Sequence, residues 1–325
     1  MTCSVTWDEA GLPAWGTAPR AAFWVTVEQN GPWGARAFTQ SRLDPAVGAA
    51  IEAEVLATGG RPLLIRRPAS HVDRGDHRRR QVYVAGGLAG TPWLLGGTVT
   101  EPDEVMTLPF DRLADIDPDE LAAEVDWLER LDGGVLLVCA NAKRDLCCAL
   151  RGRPIALDLE RQNSGRVWEC THTGGHRFAP TGLVLPSGQS LARLTPEVAH
   201  AALQAADAGR LASETFGPWH DRGRGHLEPV RAVAEAYIRE LTGECSPEAL
   251  TTAPASASSD GEAAHREPAS AGRDCDLGEL IEVAHRDGRR WLLRLSQEAY
   301  GDLPESCGKA AVAARSWLVV ETQAP

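Results

Sequence analysis

Residues 135–148 read VLLVCANAKRDLCC, and residues 167–176 read VWECTHTGGH. Each stretch begins with a run of apolar and aromatic side chains, which predicts two buried strands that end beside polar loops. Four potential metal ligands stand where these strands end or shortly after them: Cys139, Cys148, His172 and His176. Thiolates and imidazoles concentrated in one short region predict a transition metal or an iron–sulfur cluster.

The elements around these four residues predict an α/β fold built from two similar halves. After the strand at 134–139, the sequence predicts a helix at 145–162 that is broken at Gly152 and restarts at Pro154. Three strands and a helix that begins at Thr195 follow, which gives the order β-α-β-β-β-α. The same order is predicted for roughly residues 23–131, with a last helix at 120–131. This order is typical of a thioredoxin-like layer of helices on a mixed sheet.

We therefore expect tandem thioredoxin-like halves and a small C-terminal β module. The N-terminal half has no cysteine after Cys3, so only the second half can form such a site. Residues between 245 and 274 are rich in Ala, Ser, Pro and Thr without periodicity, which predicts disorder. The predicted segments are a degenerate N-terminal half at 1–130 with an irregular start, a thioredoxin-like half with the cysteine and histidine ligands at 131–215, a helix at 216–244, a disordered linker at 245–274 and a β module at 275–325.

Composition excludes several classes of function. The chain has 325 residues, with 33 Lys and Arg against 45 Asp and Glu, and its net charge is −12. An acidic chain is a poor nucleic-acid binder. The sequence contains no apolar run long enough to span a membrane and no secretory signal, so we expect a cytoplasmic protein that contacts neither nucleic acid nor membrane. The eight cysteines are then expected to be reduced thiols.

The spacing leaves more than one metal open. Zinc readily accepts two cysteines and two histidines, so zinc remains an alternative to a cluster. Cys147 and Cys170 are expected to be structural, although either could serve as a spare ligand. A thiol oxidoreductase acting through Cys147, Cys148 or Cys139 is a further alternative, but the first helix lacks the Cys-x-x-Cys typical of that class.

The segments 138–152 and 168–185 resemble the sucrase/ferredoxin-like family, with weaker similarity over about residues 20–215. In that family a thioredoxin-like ferredoxin domain is expected to bind a [2Fe–2S] cluster. Cys139-x8-Cys148 resembles the first cysteine pair of thioredoxin-like ferredoxins, and His172-x3-His176 stands where these ferredoxins carry a second cysteine pair. The resemblance implies a cluster bound by two cysteines and two histidines. The sequence itself contains no convincing pair of carboxylates for glycoside hydrolysis, so the sucrase part of the family name has no support here.

A cluster with two histidine ligands predicts an electron carrier rather than a stand-alone enzyme. Neutral imidazoles in place of thiolates should raise the reduction potential, and their free ring nitrogens could couple electron uptake to proton uptake. Lys143, Arg144 and Arg177 flank the ligands and could stabilise a reduced cluster or bind an acidic partner. The expected partner is a redox protein, either a reductase or an electron acceptor. The alternative function is a zinc-stabilised interaction protein or a thiol oxidoreductase.

Overall fold

Two β-sheets organise the chain in the computed structural model, which describes residues 2–69, 79–255 and 278–324. A mixed sheet of ten strands spans both predicted halves, and a separate antiparallel sheet of four strands forms at the C-terminal end. The predicted α/β fold class is therefore confirmed. None of the helices in the described ranges has the length and apolar content needed to cross a membrane.

The strands have three to seven residues in the large sheet, and two strands of the small sheet, β13 and β14, are longer. They are β1 (Trp24–Glu28), β2 (Arg61–Arg66), β3 (Arg80–Gly86), β4 (Trp93–Val99), β5 (Leu128–Arg130), β6 (Val135–Cys139), β7 (Val167–Cys170), β8 (Gly182–Leu185), β9 (Gln189–Leu191), β10 (Asp221–Arg224), β11 (Leu250–Pro254), β12 (Glu279–His285), β13 (Arg290–Pro304) and β14 (Ala311–Gln323). The α-helices are α1 (Cys3–Glu9), α2 (Ala37–Gln40), α3 (Pro45–Ala57), α4 (Pro118–Glu124), α5 (Leu146–Gln162), α6 (Pro196–Asp207) and α7 (Pro229–Thr242).

The order of strands in the large sheet repeats. The sheet runs β10-β9-β8-β6-β7-β2-β1-β3-β4-β5. Strand β1 pairs in parallel with β2 and antiparallel with β3, and β6 pairs in the same way with β7 and β8. The predicted β-α-β-β-β-α order thus occurs twice. The first core lies around Phe23, Ile51 and Leu64, and the second around Leu136, Leu159 and Leu203.

The two halves meet where β2 and β7 pair antiparallel. Only two register pairs join them, Ile65 with Cys170 and Arg66 with Glu169. The Arg66 and Glu169 side chains form a buried ion pair, with Nη2 2.7 Å from Oε2. Beyond the strands, the Thr171 amide donates to the Leu64 carbonyl at 2.9 Å. The loop that follows β7 is therefore held against the first half of the chain.

Several local predictions were wrong. The start of the chain was expected to be irregular but forms α1, and the helix expected at 120–131 ends at Glu124, because residues 128–130 pair with β4 as strand β5. Helix α5 runs unbroken through Gly152 and Pro154. Residues 250–254 of the predicted linker form β11, which pairs with β12. Residues 256–274 of that linker, the first three residues of the predicted β module, and the segment 70–78 lie outside the described residues.

The C-terminal sheet reaches back to the second half. Its inner face packs against α7 through Val233, Ile238, Val283 and Leu293. The tip of the β13–β14 hairpin contacts α1, where the Trp7 indole donates to the Pro304 carbonyl at 3.0 Å. The first helix and the tip of the β13–β14 hairpin thereby meet beside the start of α5.

Candidate metal centre

The two predicted cysteine ligands lie where β6 ends and α5 begins. Cys139 is the last residue of β6, and Cys148 lies in the first turn of α5. Asp145 is the N-cap of α5, and its Oδ1 accepts a hydrogen bond from the Cys147 amide at 3.1 Å. An N-cap carboxylate satisfies a free amide of the first turn, which fixes where the helix starts. Both ligand cysteines are 1% exposed.

Gly152 lets α5 approach the end of β6 closely. A Cβ atom at this position would lie 2.5 Å from the carbonyl oxygen of Cys139. Any larger residue would push the helix outward and carry Cys148 away from Cys139. The glycine that the sequence analysis interpreted as a helix break therefore serves the packing of helix against strand.

The two predicted histidine ligands lie in the loop after β7, and two glycines shape this loop. Gly174 and Gly175 both have left-handed backbones, with φ of 73° and 63°. This conformation costs a residue with a side chain about 1–2 kcal/mol. The turn brings the imidazole of His176 back toward that of His172, and their ring centroids lie 5.0 Å apart.

All four predicted ligands are neighbours in space. The Cys139 thiol is within hydrogen-bonding contact of both Cys148 and His172. The hydrogen bond from Cys148 lowers the pKa of Cys139 well below its usual range, and it raises the pKa of Cys148 in turn. Burial lowers the pKa of His176, although the Asp145 carboxylate, 3.6 Å from its Nε2, opposes this shift. Cys139 is therefore the thiol of the pair that ionises more readily.

The histidines leave polar atoms unsatisfied. Nδ1 of His172 and Nδ1 of His176 are both buried without a hydrogen-bond partner. A buried polar atom without a partner costs free energy, and a metal ion is one group that would remove the cost. The residues present therefore fit a soft metal group on the basis of donor chemistry and unsatisfied atoms.

A second group of ligands lies directly beside the first. The potential ligand atoms of Cys3, Asp145, Cys147 and Cys307 all lie within 4.8 Å of one another. The sulfur of Cys147 is 3.4 Å from that of Cys3 and 2.9 Å from that of Cys307. The chain therefore contains a possible metal site in which three thiols and a carboxylate take part. We call these four residues the thiol cluster.

The thiol cluster corrects the sequence analysis on two points. Among the described residues, the ligand atoms of the thiol cluster all lie within 4.8 Å of one another. The ligand atoms of the predicted two cysteines and two histidines are spread more widely. The tightest ligand group is therefore not the predicted one. Cys147, which was expected to be structural, belongs to this cluster because consecutive helical residues point in different directions, so that Cys148 faces Cys139 and Cys147 faces Cys3.

Sequence reasoning missed Cys3, Asp145 and Cys307 as possible ligands. Cys3 and Cys307 are 304 residues apart, and no local spacing links them to Cys147. Cys170 pairs with Cys139 across β6 and β7 and is fully buried, and burial raises its pKa. It lies beside the site but outside the thiol cluster.

A buried cation lies beneath the histidine loop. Arg222, on β10, donates to the carbonyl of Gly174 at 3.2 Å and to the carbonyl and hydroxyl of Thr17. Burial lowers its pKa to about 9, and the Cys139 and Cys148 thiols act in the opposite direction. Because the guanidinium is 1% exposed, its charge acts on the cysteines without much screening by water.

The predicted flanking cations differ in their surroundings. Lys143 and Arg144 are exposed, whereas Arg177 pairs with Glu305 at 3.1 Å and lies over the Trp7 ring. A cleft of about 230 Å³ opens beside His172. The charged residues that line it are Arg36, Arg61, Arg144 and Glu52. The side of the site at which the histidines emerge therefore carries net positive charge.

Comparison with known proteins gives one match. A family model named Suc_Fer-like, described as sucrase/ferredoxin-like, matches residues 14–216, which is more than half of the chain. A search of curated proteins and a search of solved structures found no significant match. The matched span contains all four predicted ligands and ends before the C-terminal sheet.

Proposed function

The chain belongs to the sucrase/ferredoxin-like family, and we propose that it is a cytoplasmic electron carrier that binds a [2Fe–2S] cluster through Cys139, Cys148, His172 and His176. One observation carries the proposal. Two imidazoles with unpartnered buried Nδ1 atoms stand 5.0 Å apart beside a pair of thiols, one of which is held ready to ionise. When bound, the cluster would accept and release single electrons.

The spread of the four ligands favours two metal atoms over one. A single zinc ion holds four ligands about 2.0–2.3 Å from one point, which places them all close together. The four predicted ligands do not gather so tightly. A two-iron cluster divides its ligands into two pairs on two metal atoms, so a wider set suits it better. This argument supports the cluster over the zinc alternative at these residues.

The remaining residues have roles that agree with electron transfer. The cysteines are buried and the histidines are partly exposed, so the histidine side is the one that a partner can approach. Arg222 supplies a buried positive charge that would favour the more negative, reduced state. The arginines of the cleft beside His172 suit a redox partner with an acidic docking surface.

The histidines also support coupling between electrons and protons. An imidazole that binds a metal through one nitrogen can exchange a proton at the other. His176 additionally lies 3.6 Å from the Asp145 carboxylate, which stabilises a positive charge on the ring. We expect the reduction potential to fall with pH by up to about 59 mV per pH unit, which corresponds to one proton per electron.

The thiol-oxidoreductase alternative receives little support. Cys147 has a pKa lowered to about 5, first by a hydrogen bond from the Cys3 thiol, as an attacking thiol requires. However, its side chain is 0% exposed, so a disulfide substrate has no path to its sulfur. Cys139 and Cys148 are similarly buried.

The test is iron and sulfide analysis of anaerobically purified protein together with electron paramagnetic resonance of the reduced form. We expect two irons and two sulfides per chain and a signal at a higher potential than that of an all-cysteine ferredoxin. His172→Cys and His176→Cys should keep iron, lower the potential and weaken its dependence on pH. A protein that stays free of iron after reconstitution would contradict the proposal.

A matched control is available at His200. Its Nδ1 is also buried without a partner, but it lies on α6 away from the site. His200→Cys should leave the iron content, the potential and its pH dependence unchanged. If His200→Cys shifted the potential as much as His172→Cys, the effect could not be assigned to ligand exchange.

A further inference from the structure

The thiol cluster is assembled by contacts that do not involve sulfur. The carboxylate of Asp145 accepts hydrogen bonds from the Ser306 hydroxyl at 2.9 Å and from the Cys307 amide at 3.0 Å. Helix α1 is fixed separately, because Asp8 pairs with Arg151 and with Arg193 at 2.7 Å each. These contacts place the three thiols in advance, and such preorganisation favours a binding site over accidental contact between cysteines.

The spacing of the donors matches a tetrahedral site. Ligands about 2.3 Å from zinc are separated by about 3.8 Å along the edges of a tetrahedron. The Cys3 sulfur is 3.4 Å from that of Cys147 and 3.7 Å from that of Cys307, and it is 4.0 Å from Oδ1 of Asp145. The distance of 2.9 Å between Cys147 and Cys307 is shorter and requires the two sulfurs to move apart slightly.

The charge balance also suits a divalent cation. Three thiolates and a carboxylate carry four negative charges, which a divalent ion and a nearby cation partly neutralise. Arg177 is that cation, since its mostly buried guanidinium interacts electrostatically with Cys3 as well as with its ion-pair partner Glu305. Four protein ligands that leave no open position are typical of structural rather than catalytic zinc, and carboxylate oxygen is an accepted zinc ligand beside cysteine sulfur.

We propose that Cys3, Cys147, Cys307 and Asp145 form a structural zinc site that joins α1 and the tip of the β13–β14 hairpin to the start of α5. The site is separate from the cluster ligands, although Cys147 and Cys148 are adjacent in the sequence. Cys3 and Cys307 lie outside the span that matches the family model, whereas Asp145 and Cys147 lie within it. The zinc would hold the segments before and after that span in place.

The test is the zinc and iron content of chelator-washed protein, measured by mass spectrometry of the elements. We expect about one zinc per chain in the unaltered protein and in Cys139→Ser, which removes a cluster ligand. Cys307→Ser should reduce zinc to background while leaving iron at the level of the unaltered protein. Because the two metals are lost in different variants, failure of the cluster proposal and failure of the zinc proposal are distinguishable.

Two further variants guard against misfolding and nonspecific effects. Cys307→His supplies another zinc ligand and should restore zinc. Cys245→Ser changes a partly exposed cysteine that hydrogen-bonds only locally, to the Gly243 carbonyl, and it should keep zinc unchanged. Cobalt added to the zinc-free protein should produce a sulfur-to-cobalt charge-transfer band, and this band should be absent in Cys307→Ser.

Four results would overturn the proposal. The first is unaltered protein without zinc whose three thiols react fully with an alkylating reagent after unfolding. The second is a peptide linked by a disulfide between Cys147 and Cys307 in a non-reduced digest. The third is zinc retained in Cys307→Ser, and the fourth is loss of iron together with zinc in that variant.

Discussion

The two halves of the large sheet share their strand order but differ where their central strands end. In the first half Val27 pairs with Leu64 and Val82, and in the second Val138 pairs with Glu169 and Gly182. By this register, Glu28 occupies in the first half the place that Cys139 occupies in the second. Ile65 corresponds in the same way to Cys170.

The first half closes its sheet end with its own polar groups. The Glu28 carboxylate accepts a hydrogen bond from the backbone N–H of Gln81 at 3.0 Å, and Arg80 donates to the side-chain oxygen of Gln29 at 2.8 Å. The second half instead ends in buried thiols and in ring nitrogens without partners. In the described residues, the end of the central strand therefore carries hydrogen-bonded polar side chains in the first half and a candidate metal centre in the second.

The largest expected effect is on iron content, when Cys139 is replaced by glutamate, the residue at the corresponding place in the first half. Cys139→Glu and the nearly isosteric Cys139→Ser should both lose all cluster iron, because one of the two thiol ligands is gone. The reciprocal Glu28→Cys should gain none, because the first half has no cysteine between residues 4 and 138 that could complete the pair of thiol ligands. Iron and sulfide per chain measure both outcomes. Full iron in Cys139→Ser would mean that Cys139 is not a ligand.

The next largest effect tests whether the halves are one cooperative unit. Glu169→Leu leaves Arg66 as an unpaired buried charge and should lower the free energy of unfolding by about 3–5 kcal/mol. The double variant Arg66→Met with Glu169→Leu should recover much of that loss. Urea denaturation followed by circular dichroism gives these values.

The control for this prediction is an exposed ion pair within the first half. Arg112 pairs with Glu120 and Glu124 at the surface, and Arg112→Ala should change the unfolding curve little. If Glu169→Leu behaved like Arg112→Ala, the buried ion pair between β2 and β7 would not hold the halves together.

A third prediction concerns the outer edges of the halves. The edge at β5 carries exposed charges. At the other edge, His226 follows β10 and is half-buried. Burial and the nearby Arg224 lower the pKa of His226 to about 4. Unfolded His226 takes up a proton near pH 6.5, but the folded form stays neutral down to about 4. The contribution of His226 to stability is therefore lost as the pH falls through this window.

As the pH falls from 7 to 5, the free energy of unfolding of His226→Asn should therefore rise by about 2 kcal/mol relative to that of the unaltered protein. Asp221 acts in the opposite direction, because burial raises its pKa to about 6 and protonation below that pH favours the folded state. The comparison of variant and parent cancels the Asp221 effect. A gain that did not depend on pH would indicate a packing effect instead.

The smallest expected effect concerns the glycine turn between His172 and His176. A Cβ on Gly175 would lie 2.5 Å from Nη2 of Arg222, on a backbone with φ of 63°. Gly175→Ala should cost about 1–2 kcal/mol from backbone strain and should speed iron release to a chelator, because Arg222 and the histidines are displaced. Gly209→Ala has a similar φ of 65° with nothing within 4 Å, so it should show the strain without faster iron release.

The sequence predicted the repeated order of strands and helices because alternation of buried strands with capped helices is a local signal. It also predicted that Cys139, Cys148, His172 and His176 lie at one end of the sheet, because the ends of neighbouring strands in one layer lie together. It could not predict Cys3 and Cys307 beside Cys147, because their approach depends on packing between segments about 300 residues apart. The identity of the metal stays a prediction, because ligand spacing alone is compatible with more than one metal.

The narrow contact between β2 and β7 also bears on how such a protein can be rearranged by recombination. Glu169 has its cation, and Thr171 its backbone partner, on a strand that belongs to the other half. A gene fragment for the second half alone would encode a buried acid without its nearer cation, since Arg153 of the same half lies farther away at 3.8 Å, and a histidine loop without its backbone partner. A cassette that carries this candidate metal centre into another protein would therefore have to include β2, even though β2 contributes none of the four proposed cluster ligands.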